Sequence, residues 1–323
     1  MKIPKGVKII EPHDYYSRAR TIEIPEGVEI IGEMAFRHCR NLESITIPNS
    51  VKRICWGAFS CCNGLKSVTI PESVTEIGEY AFGYCKNLTS ITIPDSVTKI
   101  GEAAFYSCEN LESIIISRNA RQIEKKTFGY CKKLKSIIIP EGITSIGYRA
   151  FANCKGLNQL TISETVTEIA DSAFIECTGL KSISIPKGIK TIKDYAFSNC
   201  TSLESIDIQD GDENIVIWDS AFSCCCSLSK VIWSNRVSYL GSDAFSFCSA
   251  LSEIRIPDSL TEIKVATFQD CTNLETVIIP ESIQKIEPLS FKNCISLKSA
   301  SVPKGAVIQK DAFDESCEIK RIF

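Results

Sequence analysis

The sequence predicts an α/β-type solenoid dominated by β-structure, in which short repeats form a right-handed stack with a parallel β-sheet along one face. The first observation behind this prediction is a fixed period. Phenylalanines recur every 23 residues from Phe36 to Phe197, step by 25 to Phe222, and close with a step of 22 at Phe313. The second is that each period carries a similar pattern of apolar positions. Such a period is typical of repeat architectures, in which neighbouring repeats bury each other's apolar faces.

The first half of each repeat predicts a short β-strand. Residues 88–94, LTSITIP, place Leu88, Ile91 and Ile93 on one side and hydroxyl residues on the other, which is the alternation of a half-buried strand. Pro94 ends the strand because proline has no backbone N–H to donate to a sheet. We call this strand the face strand, since its outward residues form the exposed face of the predicted sheet.

The second half of each repeat predicts a further inward pair and a turn. Val97 and Ile100 supply the inward pair. Ala104, Phe105 and Cys108 then follow at a spacing of three to four residues, which predicts a single helical or 3₁₀ turn. One repeat is too small to bury its own apolar face, so we expect the fold to exist only as a stack.

The complete repeat, L-x-x-I-x-I-P-x-x-V-x-x-I-G-x-x-A-F-x-x-C, resembles the BspA-like (Treponema-type) class of leucine-rich repeats over about residues 22–302. The resemblance implies a leucine-rich-repeat solenoid and, for some members, extracellular adhesion or protein binding. The predicted organisation is therefore one solenoid over residues 1–323. It has an irregular partial repeat at 1–21, regular repeats at 22–303 and a C-terminal partial repeat at 304–323.

Composition and charge narrow the expected partners. The formal net charge of −3 gives no reason to expect nucleic acid or an acidic membrane surface, and no stretch is apolar enough to insert into a membrane. The opening MKIPKGVKII lacks the features of a secretory signal, which predicts a cytoplasmic protein if the chain is complete and a cell-surface protein if it is a segment. Both chain ends stop inside a repeat, so end-to-end self-association is a further expectation.

The 17 cysteines allow three interpretations. Most of them follow the repeat phenylalanine by three residues, where they could be small buried apolar side chains, disulfide partners between repeats or metal ligands. We favour the buried apolar role, because stacked side chains point in parallel and matching histidines are missing. Cys61, Cys224 and Cys226 lie off this position and are expected to face solvent. They motivate the alternative function, a thiol-based redox or enzymatic protein.

Sequence motifs of catalysis and cofactor binding are absent, so we predict neither an enzyme nor a cofactor. The chain has two histidines, and no nucleophile elbow, phosphate-binding loop or dinucleotide fingerprint is present. The loop QDGDEN gathers Asp210, Asp212 and Glu213, whose oxygens could hold calcium, although their spacing misses the EF-hand pattern. A solvated inserted loop is the competing interpretation.

The outward positions of the face strands are the predicted ligand-binding surface, for a protein or a glycan. One column of outward side chains contains Thr46, Thr69, Thr92, Ile115 and Ile138, and the column beside it contains Lys66, Lys135 and Lys181. The two isoleucines stand where earlier repeats carry threonine, and they would form an apolar centre. The alternative is that these side chains bind nothing and only keep an exposed parallel sheet soluble. The predicted function is a non-catalytic binding or adhesion scaffold.

Overall fold

The computed structural model describes residues 3–12 and 18–322, and it divides into two compact units, residues 1–163 and 164–323. Each unit is a stack of β-repeats and is described by itself. The organisation of the whole chain as one solenoid stays a prediction.

Each repeat contributes up to two short strands, the face strand and a second strand. The face strands of the first unit are Thr21–Glu23, Ser44–Thr46, Ser90–Thr92, Ser113–Ile115, Ser136–Ile139 and Gln159–Ile162. Those of the second unit are Ser182–Ile185, Ser205–Ile208, Lys230–Ile232, Glu253–Arg255, Thr276–Ile278, Ser299–Pro303 and Glu318–Ile322. The repeat at residues 65–71 keeps the alternation of buried and exposed residues without forming a strand.

The second strands follow the proline turn. In the first unit they are Ile9–Ile10, Ile30–Ile31, Arg53–Ile54, Glu76–Ile77, Lys99–Ile100, Gln122–Ile123 and Ser145–Ile146. In the second unit they are Glu168–Ile169, Thr191–Ile192, Ile215–Ile217, Val237–Leu240, Glu262–Ile263, Lys285–Ile286 and Val307–Ile308. Strands pair in parallel with the same strand type of a neighbouring repeat, as Ser90 pairs with Ser113 and Lys99 with Glu76. The predicted β-dominated solenoid architecture is thus confirmed within each unit.

The core of each unit is a column of stacked phenylalanine rings. Phe36 to Phe151 stack at centroid distances of 5.0–5.6 Å in the first unit. Phe174 to Phe313 stack at 4.9–5.8 Å in the second. Almost all of these side chains are fully buried. The period in the sequence therefore corresponds to a continuous aromatic column inside each unit.

The predicted helical turn over Ala104, Phe105 and Cys108 is wrong. Among the described residues, the segments around the repeat phenylalanines hold hydrogen-bonded turns and no helix. The reason is in the backbone: Ala103 and Ser107 have φ of 52° and 56°, and the same two positions are left-handed in most other repeats. A left-handed residue at every fourth position interrupts the uniform dihedrals that a helix requires.

The left-handed residues redirect alternate N–H groups of the turn. Ala103 N and Phe105 N both donate over 2.9 Å to carbonyls of the following repeat, those of Lys125 and Thr127. Ala104 N, which lies between them, donates over 3.3 Å to Gly101 O in its own turn. The turn segments therefore join neighbouring repeats by hydrogen bonds, as the strands do.

The regularly spaced cysteines are buried, as predicted, and they also act as donors. The thiol of Cys108 donates to Phe82 O over 3.2 Å, and the thiol of Cys200 donates to Phe174 O over 3.4 Å, in each case one repeat back. All 17 cysteines are free thiols. A small apolar side chain that also carries one weak donor suits this position, because the carbonyl it reaches is buried.

The repeat with the 25-residue step to Phe222 contains two extra residues, and a buried arginine of the next repeat stabilises it. Arg236 is only 5% exposed and donates from Nη1 to Ile189 O at 2.6 Å, from Nη2 to Pro186 O at 2.9 Å and from Nε to Gln209 O at 2.7 Å. These bonds anchor the start of the inserted loop, residues 209–214, to the preceding repeat. Burial lowers the pKa of the Arg236 guanidinium, and the nearby Asp210 opposes this shift.

Candidate binding surface on the face sheet

The face strands of the first unit present their predicted side chains to solvent. Thr46, Thr92, Ile115 and Ile138 occupy exposed positions of four face strands, and the residue before each of them is buried. This orientation follows from the strand alternation, because neighbouring side chains point to opposite sides of a sheet. Thr69 is also exposed, but its repeat forms no face strand.

Two exposed isoleucines form the most apolar part of this face, and we call them the isoleucine patch. Ile115 is 64% exposed and Ile138 is 68% exposed. Ile115 pairs in register with Thr92 on one neighbouring strand, and Ile138 pairs with Thr161 on another. The patch is therefore bordered by threonine hydroxyls, an arrangement of apolar centre and polar rim that is common at binding interfaces.

The predicted lysines have different environments. Lys135 Nζ lies 2.6 Å from Glu112 Oε2, and this contact lowers the pKa of the Glu112 carboxyl. Lys66 borders a surface recess that also contains Arg20 and Glu43, which pair with each other. Lys181 belongs to the second unit, where it is exposed. Lys135 and its partner Glu112 therefore belong to the two repeats that carry the isoleucine patch. Lys66 lies in a more distant repeat.

Charged side chains of the first unit pair mainly across neighbouring repeats. Lys99 Nζ lies 2.9 Å from Glu76, and Lys132 Nζ lies 2.9 Å from Glu109. These contacts lower the pKa values of both glutamates, with the hydrogen bond from the lysine as the largest cause. Such exposed pairs contribute little stability, but they neutralise the surface charge. These pairs therefore offset part of the surface charge of the first unit.

The acidic loop does not assemble a metal site. Asp210 Oδ1 accepts a hydrogen bond of 2.8 Å from the Ser234 hydroxyl, and Glu213 Oε1 lies 3.7 Å from Lys190 Nζ. Throughout residues 3–12 and 18–322, no group of three or more His, Cys, Asp or Glu side chains is placed to hold a metal ion. Asp212 is exposed in the same loop. The described residues therefore provide no ligand cluster that would support calcium binding by Asp210, Asp212 and Glu213.

Two of the off-pattern cysteines contact a backbone carbonyl or a hydroxyl group. Cys226 is exposed and its thiol lies 3.5 Å from Cys224 O, while Cys61 contacts the Ser60 hydroxyl at 3.7 Å. Burial raises the pKa of Cys224, which disfavours the reactive thiolate. Nothing in this arrangement favours the thiol-based alternative over a scaffold.

Sequence reasoning did not single out two groups of exposed apolar side chains as candidate sites. Ile232 and Ile278 lie on face strands of the second unit and are 44% and 50% exposed. They occupy the same column as the isoleucine patch, so the column alone could have identified them. A row of tyrosines along the turns of the first unit was also missed, because the turn positions were read only for their cysteines.

Comparison with known proteins identifies similar chains. The family model described as the BspA type leucine-rich repeat region matches residues 8–135, 98–216 and 215–323. A leucine-rich repeat protein from Bacteroides ovatus is 32% identical, with a TM-score of 0.79 over 100% of this chain and 91% of that one. A leucine-rich cell surface protein from Faecalibacterium prausnitzii is 29% identical, with a TM-score of 0.53 over 86% of this chain and 87% of that one. The T. pallidum leucine-rich repeat protein is 26% identical, with a TM-score of 0.50 over 56% of this chain and 87% of that one.

Comparison with curated proteins gives no match. In the part of the chain that the structure describes, no helix has the length and apolar character to cross a membrane.

Proposed function

We propose, from the premise that this chain belongs to the BspA-type leucine-rich repeat family, that it is a non-catalytic scaffold that binds a protein or glycan ligand through its face sheet. Membership of the family confirms the resemblance predicted from the repeat motif. The observation that carries the proposal is the isoleucine patch, because two adjacent repeats expose about two thirds of an isoleucine each on a sheet otherwise rich in hydroxyls.

The arrangement of the patch suits a ligand anchor. A central apolar contact that is surrounded by hydroxyl groups excludes water when a ligand covers it, and such central contacts contribute most of the binding energy in protein interfaces. The Glu112–Lys135 pair at its edge can accept and donate hydrogen bonds to a ligand without imposing a net charge. We extend the proposal to a location at the cell surface, which is supported by the name of the F. prausnitzii relative.

The test replaces the patch by charge. Ile115→Glu together with Ile138→Glu should abolish capture of the partner by the immobilised chain, because ligand binding would then bury two unpaired carboxylates. The matched control is Ile232→Glu together with Ile278→Glu, which places the same charges on exposed face-strand positions of the second unit. Circular dichroism and urea unfolding should show that both double variants stay folded.

Partners captured from the native environment would be identified by mass spectrometry, and the dissociation constant of each purified partner would then be measured for all three chains. Selective loss of binding in the first double variant supports the proposal. Unchanged binding by that variant would move the ligand site away from the isoleucine patch.

A further inference from the structure

A row of tyrosines, which we call the tyrosine strip, runs along the turn segments of the first unit. It consists of Tyr80, Tyr84, Tyr106 and Tyr130, from three successive repeats. The rings of Tyr80 and Tyr84 are parallel with centroids 6.3 Å apart, and Tyr106 lies edge-on to Tyr84 at 5.5 Å and to Tyr130 at 5.4 Å. The strip is a continuous aromatic surface, separate in its residues from the isoleucine patch.

Two glycines leave space for the rings. A Cβ at Gly83 would lie 2.9 Å from the Tyr80 ring, and a Cβ at Gly129 would lie 3.2 Å from the Tyr106 ring. Neither glycine has a left-handed backbone, so it is the space, and not the backbone conformation, that requires glycine here. The rings of Tyr80 and Tyr106 therefore lie against turn residues that have no side chain.

The polar ends of the tyrosines are not used by the protein. Within the described parts of the chain, none of the four hydroxyls has a hydrogen-bond partner, and all four side chains are partly exposed. Burial raises the pKa values of Tyr80 and Tyr106, and the neighbouring tyrosines raise them further. The hydroxyls of Tyr80 and Tyr106 thus remain protonated donors, available to a ligand.

At one end the strip opens into a small cleft of about 210 Å³. Tyr80 and Tyr84 line it, together with Trp56, Met34 and Arg37. Trp56 is 39% exposed, so a second type of aromatic ring is accessible there. The cleft combines ring faces with a guanidinium donor.

We propose that the tyrosine strip and its cleft bind a neutral linear oligosaccharide. One side of a pyranose ring presents C–H groups, whose partial positive charge matches the negative face of an aromatic ring, while its hydroxyls can bond to phenol groups and to Arg37. Several rings in a row suit a chain of sugars better than a single small molecule. This site is separate from the one in the proposed function and can exist without it.

The charged residues near the strip favour a neutral saccharide over other molecules that stack on aromatic rings. Single-stranded nucleic acid needs a positive groove beside the rings. The charges beside the strip are mixed, because Glu79 and Glu102 raise the pKa of Tyr80 while Arg149 lowers that of Tyr106. A quaternary ammonium ion prefers a cage of rings without cations, and Arg37 lines this cleft. A neutral saccharide meets neither obstacle.

The test measures binding of soluble chitohexaose, cellohexaose, maltohexaose and mannohexaose to the whole chain by isothermal titration calorimetry. At least one should bind with a dissociation constant below about 1 mM, and Tyr80→Ala with Tyr84→Ala should weaken it by about tenfold or more. The matched control is Tyr195→Ala in the second unit, which occupies the same repeat position as Tyr80, with φ of 57° against 51°. This control should bind like the unchanged protein.

A further variant keeps every aromatic ring. Gly83→Ala should displace the Tyr80 ring and weaken binding, while urea unfolding shows that the chain remains folded. The inference is overturned if no hexaose binds at millimolar concentration, or if the tyrosine variant and the Tyr195 control bind equally. It is also overturned if tetramethylammonium or oligo-dT competes for the site more strongly than the saccharide.

Discussion

The two units share their inward columns and differ in their outward ones. Both contain stacked phenylalanines and buried thiols that donate to a phenylalanine carbonyl of the preceding repeat. Their outward positions differ, because the first unit carries the tyrosine strip while the second carries a tryptophan and a tyrosine flanked by two lysines. The difference shows that an inward residue must fit the repeat above and below it, whereas an outward residue is free to vary.

Two outward aromatics of the second unit, Trp218 and Tyr239, lie against cations of the same unit. Lys193 Nζ lies 5.3 Å from the centre of the Trp218 ring, which lies 5.7 Å from Tyr239, and Lys264 Nζ lies 5.8 Å from that tyrosine. Trp218 Nε1 also donates to Thr191 Oγ1 over 3.1 Å. In the first unit the tyrosine hydroxyls keep their hydrogen-bonding capacity. We therefore expect the first unit to be the more active in binding.

Alkaline pH should have the largest effect, and it should act on both units. Burial raises the pKa of Cys108 and Cys154 in the first unit, and of Cys200 and Cys271 in the second, to about 12. The folded chain therefore keeps these protons, while the unfolded chain loses them above about pH 9. This contribution to stability is fully present below that pH and is lost as the pH rises towards 12.

Urea unfolding at a series of pH values from about 8 to 11 would measure this loss. The double variants Cys108→Ala/Cys154→Ala and Cys200→Ala/Cys271→Ala should each show a shallower decline than the unchanged chain. If the free energy of unfolding of the unchanged protein stays constant over this range, the raised pKa values of the buried thiols would be contradicted.

Removing one core ring should have the next largest effect, and it should be equal in the two units. Phe105→Ala and Phe222→Ala each remove a fully buried ring that is stacked on both sides. Each should lower the free energy of unfolding by about 3–5 kcal/mol through the cavity that remains. Chemical denaturation followed by circular dichroism would measure both, and losses that differ by more than about 2 kcal/mol would break the equivalence of the two cores.

The buried arginine of the inserted repeat should give a smaller and unequal effect. Arg236→Met leaves several carbonyls without their donor and should cost about 2–4 kcal/mol. Ser73 holds the equivalent position in the first unit and donates one bond of 2.7 Å to Val51 O, so Ser73→Ala should cost about 1 kcal/mol. Hydrogen exchange should also become faster in residues 209–214 of the arginine variant. Equal losses in the two variants would mean that Arg236 does not anchor the loop.

The inward residues were predictable from the sequence because the period fixes them. Leu88, Ile91 and Phe105 are buried as their spacing required. The turn conformation was not predictable from the same spacing, because residues three and four apart lie on one side of a helix and also on one side of this turn. The left-handed positions carry residues as different as Ala103 and Lys126, so no preference for glycine revealed them.

The exposed isoleucines were visible in the sequence, whereas the tyrosine strip required the structure. Ile115 and Ile138 interrupt a regular threonine column, so they stand out. Tyr80 and Tyr106 occupy different positions within their repeats, and only the turn geometry brings their rings to 6.4 Å. The space above Gly83 likewise has no signature in a single sequence.

The hydrogen bonds of the turns give each repeat a direction. Phe82 N donates forward to Ala104 O, while the thiol of Cys108 donates backward to Phe82 O. A repeat thus presents one set of groups to the neighbour before it and the complementary set to the neighbour after it. A further copy inserted in whole periods satisfies both neighbours without altering either one. Tandem duplication and deletion of gene segments can therefore change the length of such a protein in steps of one repeat while its folding rules stay the same.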